Sequence, residues 1–150
     1  MAISQAMVTS FKVEILNGIH AFGTTVTRGS TAADTFRIAL FTSAATLDAS
    51  TTTYSSTNEV PNGSGYTTGG QTLTASQVPT STSTTAWLDF DDVTWTTATI
   101  TANGALIYNS TQNDKAVAVL AFGGDKSSTA GNFTIQFPAA NSTSAIIRIA

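Results

Sequence analysis

The sequence predicts an all-β fold: a single-domain β-sandwich with jelly-roll or immunoglobulin-like connections and one short N-terminal helix. Three observations predict it. The chain of 150 residues contains 29 Thr and 16 Ser, and β-branched Thr suits a pleated, half-exposed surface. Apolar and polar residues alternate over short runs, with turn signals about every 8–12 residues. Charged residues make up only 10% of the chain, against about 25% in an ordinary domain, so hydroxyls must do much of the solvating. Hydrophobic residues reach 41%, enough for a core and too many for a disordered chain.

Ser10 to Phe22 opens the pattern. Phe11, Ile15, Ile19 and Phe22 recur at helical spacing. Ser10 suits an N-cap, Glu14 the first turn, and Gly23 a stop. Phe11, Val13 and Ile15 also alternate as in a strand, and Gly18 weakens a helix, but the helix is the better reading. Residues 24–34 are small and polar, a loop. Phe36, Ile38 and Leu40 then alternate with Arg37, Ala39 and Phe41, a strand with two distinct faces.

Residues 43–66 are a long Ser/Thr/Asn/Gly segment carrying Asp48, Glu59, Tyr54 and Tyr66. Loops of this length inside a compact domain are often functional. Tyr66 to Thr74 suggests an edge strand with a bulge at Gly69-Gly70, and a second hydroxyl-rich stretch runs from Thr80 to Thr85.

From Ala86 the pattern is dense β. Trp87, Asp89 and Asp91 are expected on one face of a strand, with Leu88 and Phe90 on the other. Thr99 to Asn109 forms the next strand, bent at Asn103-Gly104. Ala116 to Phe122 is nearly all apolar, a central strand ended by Gly123-Gly124. Phe133, Ile135 and Phe137 alternate up to Pro138. Ala145 to Ala150 closes the chain as an apolar strand, which implies a paired C-terminus. Residues 1–23 are read as an arm with the helix and 24–150 as the sandwich, within one domain.

Composition excludes several functions. Cysteine is absent, so disulfides, thiolate metal sites and thiol nucleophiles are excluded. A net charge of -3 argues against a nucleic-acid clamp. No apolar run approaches about 18 residues, so no membrane helix is expected. Met1 to Gln5 lacks a basic region leading into an apolar run, so no secretory signal is read and synthesis in a cytoplasm is expected. The Asn-x-Ser/Thr matches at Asn62, Asn109, Asn132 and Asn141 are what chance places in such a chain.

The candidate chemistry is thin. Asp89, Asp91 and Asp92 are the one carboxylate concentration, weighed as a Ca²⁺ site or acid/base pair against a solvent-facing strip. No calcium-loop spacing accompanies them, so the strip is preferred and no metal is expected. His20 is the single histidine, and no sequence partner makes it a general base. The glycine pairs lack a phosphate loop's Lys-Ser/Thr and are read as turns. Trp87, Trp95 and the tyrosines are read as core before carbohydrate platform. No catalytic residue and no cofactor is expected. The Phe11, Ile15, Ile19, Phe22 stripe is read as packing on its own sheet, with docking on a partner subunit as the alternative. Tyr54, Glu59 and Tyr66 are candidate exposed-loop contacts.

Several segments resemble a known family when taken as a set. These are Phe36 to Asp48, Glu59-Val60, Gly65 to Gly70, Asp89 to Trp95, Gly104 to Tyr108, Ala121 to Asp125 and Ala145 to Ile149. Over about residues 10–150 they resemble small structural proteins of tailed bacteriophages. The resemblance implies a non-enzymatic virion protein, foremost a capsid decoration (cement) protein on the capsid exterior. Its expected partners are the major capsid protein and itself, as a homotrimer or homodimer, with neither nucleic acid nor membrane. The alternative is a neck, tail or fibre-associated adaptor or host-contact protein. A glycan or envelope hydrolase is disfavoured, because only the Asp89/Asp91/Asp92 strip offers carboxylates.

Overall fold

The computed structural model describes residues 3–8, 10–11, 15, 19–23, 33–76, 79–83 and 85–149. The fold is all-β and built of two antiparallel sheets. Its strands are β1 (Ala6–Met7), β2 (Phe36–Phe41), β3 (Gln71–Thr72), β4 (Thr80–Thr82), β5 (Thr85–Leu88), β6 (Val93–Asn109), β7 (Lys115–Ile135) and β8 (Ile147–Ile149). The larger sheet has the order β1-β7-β6-β2-β3 and the smaller β4-β5-β8. Leu88 and Phe90 beside β5, and Ile147 of β8, join the same apolar core as the larger sheet. Burial of one continuous core therefore couples the two sheets.

The β6–β7 hairpin dominates. Their register runs from Val93↔Ile135 to Asn109↔Lys115. The apolar run Ala116 to Val119 is buried, as a central strand requires. The expected breaks do not end strands. Gly123 and Gly124 lie inside β7 with φ of 70° and 139°, and the register slips nearby, between Ala102 and Gly104. Such backbone is accessible to glycine at little cost, so the pair bends the ribbon and pairing continues. Four segments that read as separate strands thus become two long ones. The turn between them is held by Asn109, whose Oδ1 accepts the N–H groups of Thr111 (3.1 Å) and Gln112 (3.2 Å).

β2 pairs with β6 from Phe36↔Asn109 to Phe41↔Gly104. Every β2 residue except Arg37 is buried, so both of its faces are covered. β3 is an edge strand, as Tyr66 to Thr74 suggested, but it is confined to two residues. Gly69-Gly70 precedes it as a turn, closed by Gly70 N–H to Thr67 O at 2.9 Å. A Cβ on Gly70 would stand 1.8 Å from Ile38 O, so only glycine lets this turn approach β2. The hydroxyl-rich 80–85 stretch contributes β4 and the start of β5. The C-terminal strand is paired as expected, Leu88↔Ile147 and Ala86↔Ile149.

The expected helix over 10–22 falls largely outside the described residues. Ser10, Phe11 and Ile15 carry helical geometry, whereas Ile19 to Phe22 do not. The reason is local. Ala21 spends both backbone groups on Asp34, donating to Oδ2 at 3.1 Å and accepting from Asp34 N–H at 3.2 Å. Those bonds replace the helical ones that Ala21 would otherwise make.

Candidate functional site

The 43–66 segment was the leading candidate for outward contact. Its backbone carries few regular pairs, but it is pinned along its length. Thr53 bridges Lys115, and Glu59 bridges Phe41. Val60 N–H donates to Leu40 O at 2.9 Å. Gly63 and Tyr66 exchange both backbone bonds, at 2.8 and 2.9 Å, across Ser64-Gly65.

Glu59 is the centre of this arrangement. It is only 8% exposed. Its Oε2 accepts the Tyr54 hydroxyl at 2.5 Å, and its Oε1 accepts the Tyr66 hydroxyl at 2.6 Å and Gly69 N–H at 2.7 Å. Tyr66 Oη in turn accepts Leu40 N–H at 2.9 Å. Tyr54 stacks on Tyr108, ring centroids 4.5 Å apart, and Tyr66 stacks on Trp95 at 5.9 Å. Arg37 extends the cluster, donating to Gly69 O (3.0 Å), Gly70 O (2.8 Å) and Tyr108 Oη (3.2 Å). Burial, reinforced by the Glu59 carboxylate, pushes the Tyr54 and Tyr66 hydroxyls far above their ordinary pKa. Burial also raises Tyr108, against the pull of Arg37. All three phenols therefore remain protonated donors at ordinary pH. The cluster holds the segment against β2 through both carboxylate oxygens of Glu59.

The expectation that Tyr54, Glu59 and Tyr66 are exposed contacts is therefore corrected: Glu59 and Tyr66 are buried and Tyr54 is half-buried. A buried carboxylate needs donors, and the two phenols supply them. The docking stripe also turns inward. Phe11 has no exposed surface, and Phe22 stacks on Phe36 at 4.3 Å. Ile15 is half-buried against the same core, and Ile19 is half-buried. Among these four, Phe11 offers nothing to a partner, and Phe22 gives one ring face to Phe36.

The acidic strip does not converge. β5 ends at Leu88 and β6 begins at Val93, so Asp89, Asp91 and Asp92 lie on a crossing between sheets, where strand alternation does not hold. Asp89 is buried, and Asp91 and Asp92 are exposed. Asp92 Oδ1 accepts Phe137 N–H at 2.8 Å. Among the described residues no group of three His, Asp or Glu side chains is placed to hold a metal ion.

Sequence reading missed a second polar network. Asn109 is fully buried. Its Nδ2 donates to Asp34 Oδ2 at 2.8 Å and lies 3.0 Å from His20 Nδ1. Gln112 Nε2 donates to Asp34 Oδ1 at 3.2 Å. This network ties the segment around residue 20 to the β6–β7 turn. The partners lie up to 89 residues apart, so no local pattern announces them.

Two surface features remain. A polar cleft of about 380 Å³ is lined by Thr42, Ser43, Asn62, Ser64, Thr101 and Asp125, among others. A groove of about 570 Å³ runs beside β7, with Phe122, Phe133, Ile135, Phe137 and Ile146 in its wall. Comparison of the chain with protein-family models, curated proteins and solved structures finds no match.

Proposed function

We propose that this chain is a structural protein of a bacteriophage virion, and specifically a capsid decoration protein. In that role it bridges and stabilises neighbouring major capsid subunits from the capsid exterior, as a homotrimer or homodimer. The observation that carries the reading is the outer edge of β7. From Asp125 to Ile135, β7 pairs with β6 alone among the described residues. Among the described residues no strand covers the other row of its backbone donors and acceptors, the kind of edge that a strand from another chain pairs with. Thr99 N–H of β6, by contrast, is already bonded to Ser64 O at 2.8 Å, and Gln71 Nε2 donates to Thr94 O at 3.1 Å.

The β7 edge is rich in Ser, Thr, Gly and Asn, with Asp125 and Lys126 its charged residues. The resemblance to phage structural proteins points the same way, as does the near-neutral, hydroxyl-rich composition. Modest contacts of about 1,200–2,000 Å², repeated across several shell subunits, accumulate residence through effective concentration.

The test is the copy number per purified particle, measured by quantitative mass spectrometry against the major capsid protein. A count in the hundreds, at a simple ratio to the shell subunits, is the expected result. A count near a dozen overturns the shell assignment and supports the neck, tail or fibre alternative. The polar cleft between Thr42 and Asp125 would then be the surface to probe with host glycans.

A further inference from the structure

Asp89 sits where the chain crosses from the smaller sheet to the larger one. It has 0% exposure, and its Oδ2 is buried with no hydrogen-bond partner. Oδ1 accepts Phe90 N–H at 2.9 Å. The carboxylate is also reached by the N–H of Ile146, the residue that leads into β8. An ionised carboxylate has about four acceptor sites to fill, and two donors reach this one.

Among the described residues no cation is placed against it. Residues 74–76 hold its backbone: Ser76 N–H donates to Asp89 O at 3.0 Å, and Asp91 N–H to Thr74 O at 2.9 Å. Asp92 adds a second negative charge nearby, and Asp91 is exposed. Arg148, the cation of β8, donates to Thr143 O at 2.6 Å.

β8 is a short strand that seats Ile147 in the core. It pairs with β5 over three positions, and Ile149 is 48% exposed.

We propose that Asp89 is a proton-operated clasp for the C-terminal segment: protonated, it lets residues 145–149 seat β8 against β5, and ionised, it loosens them. The physical cause is a buried anion, with no counter-charge among the described residues, beneath a three-residue strand. Burial pushes the Asp89 carboxyl up from its ordinary value, and Asp92 reinforces the shift, against the two N–H donors. With the folded value raised, the stability contributed by the clasp is present below the ordinary carboxylate pKa of about 3.9 and lost as pH rises through the folded value.

The experiment uses the full chain. Carboxyl ¹³C shifts follow Asp89 from about pH 3 to about pH 9, alongside amide protection of β8 corrected for intrinsic exchange. The expected midpoint lies above the ordinary carboxylate range, and β8 protection falls about tenfold or more through it, while Leu106 in β6 is unmoved. Asp89→Asn cannot ionise and is expected to keep β8 protected at every pH. A midpoint in the ordinary range overturns the proposal. So does β8 protection that is flat through the midpoint, or an Asp89→Asn chain that loosens with pH as the parent does. Should Asp89→Asn fail to fold, the parent titration alone decides.

Discussion

Tyr66 shows how much one side chain does in this molecule. Its ring stacks on Trp95, its hydroxyl donates to Glu59, and the same oxygen accepts Leu40 N–H. Tyr66→Phe keeps the ring and removes the oxygen. Two buried groups then lose a partner, and a buried group left unsatisfied costs about 1–3 kcal/mol. The expected outcome is destabilisation of about 2–4 kcal/mol, read from the shift in urea midpoint at unchanged slope. A loss below about 0.5 kcal/mol, the level of a neutral surface change, would show that the Glu59 cluster does not anchor the segment. The residue types of this cluster were legible in the sequence, since Glu59 and the two tyrosines stood out in a neutral stretch. Their direction was not. An isolated acid in a polar loop reads as exposed, and only the Phe41↔Glu59 bridge turns it inward.

At the element scale, the β6–β7 hairpin supplies half of the buried apolar core. Ile107 is fully buried, whereas Thr129 is exposed. Ile107→Ala is expected to cost about 2–5 kcal/mol, and Thr129→Ala to stay within about 0.5 kcal/mol. Chemical denaturation of the two variants checks this, and equal effects would contradict a core centred on the hairpin. The alternation in β2 and the apolar run in β7 were legible because burial imposes a period or removes one. The lengths were not. Gly123-Gly124 is stop chemistry in the sequence, and whether such a pair ends a strand or bends it depends on a partner strand 20 residues earlier. The helix shows the same limit, since Ala21 gives its backbone bonds to Asp34, a contact no helical spacing reveals.

For the whole molecule, the three tyrosines set the alkaline limit. All three hydroxyls are shifted upward in the fold, chiefly by burial, while in the unfolded chain they ionise near about 10. A raised folded value means that this stability is intact below about pH 10 and lost as pH rises above it. The expected result is that no phenol titrates separately at its ordinary pH. Phenolate absorbance should instead rise together with loss of the β-sheet signal. Phenolate appearing near about pH 10 with the fold intact would contradict the buried cluster.

The sequence by itself determined the all-β class, the positions of the main strands, the paired C-terminus and the lack of cysteine chemistry. These follow from composition and from short-range periodicity, which act on each segment separately. Tertiary structure decided which breaks were bends, where the loop side chains point, and that Asp34 meets Asn109 and Glu59 meets Tyr66. It also decided that Asp89 is buried while Asp91 and Asp92 stay in solvent. Each of these is a choice between burying a polar group with partners and leaving it in water. The partners come from distant parts of the chain, so the choice exists only once the sheets have formed.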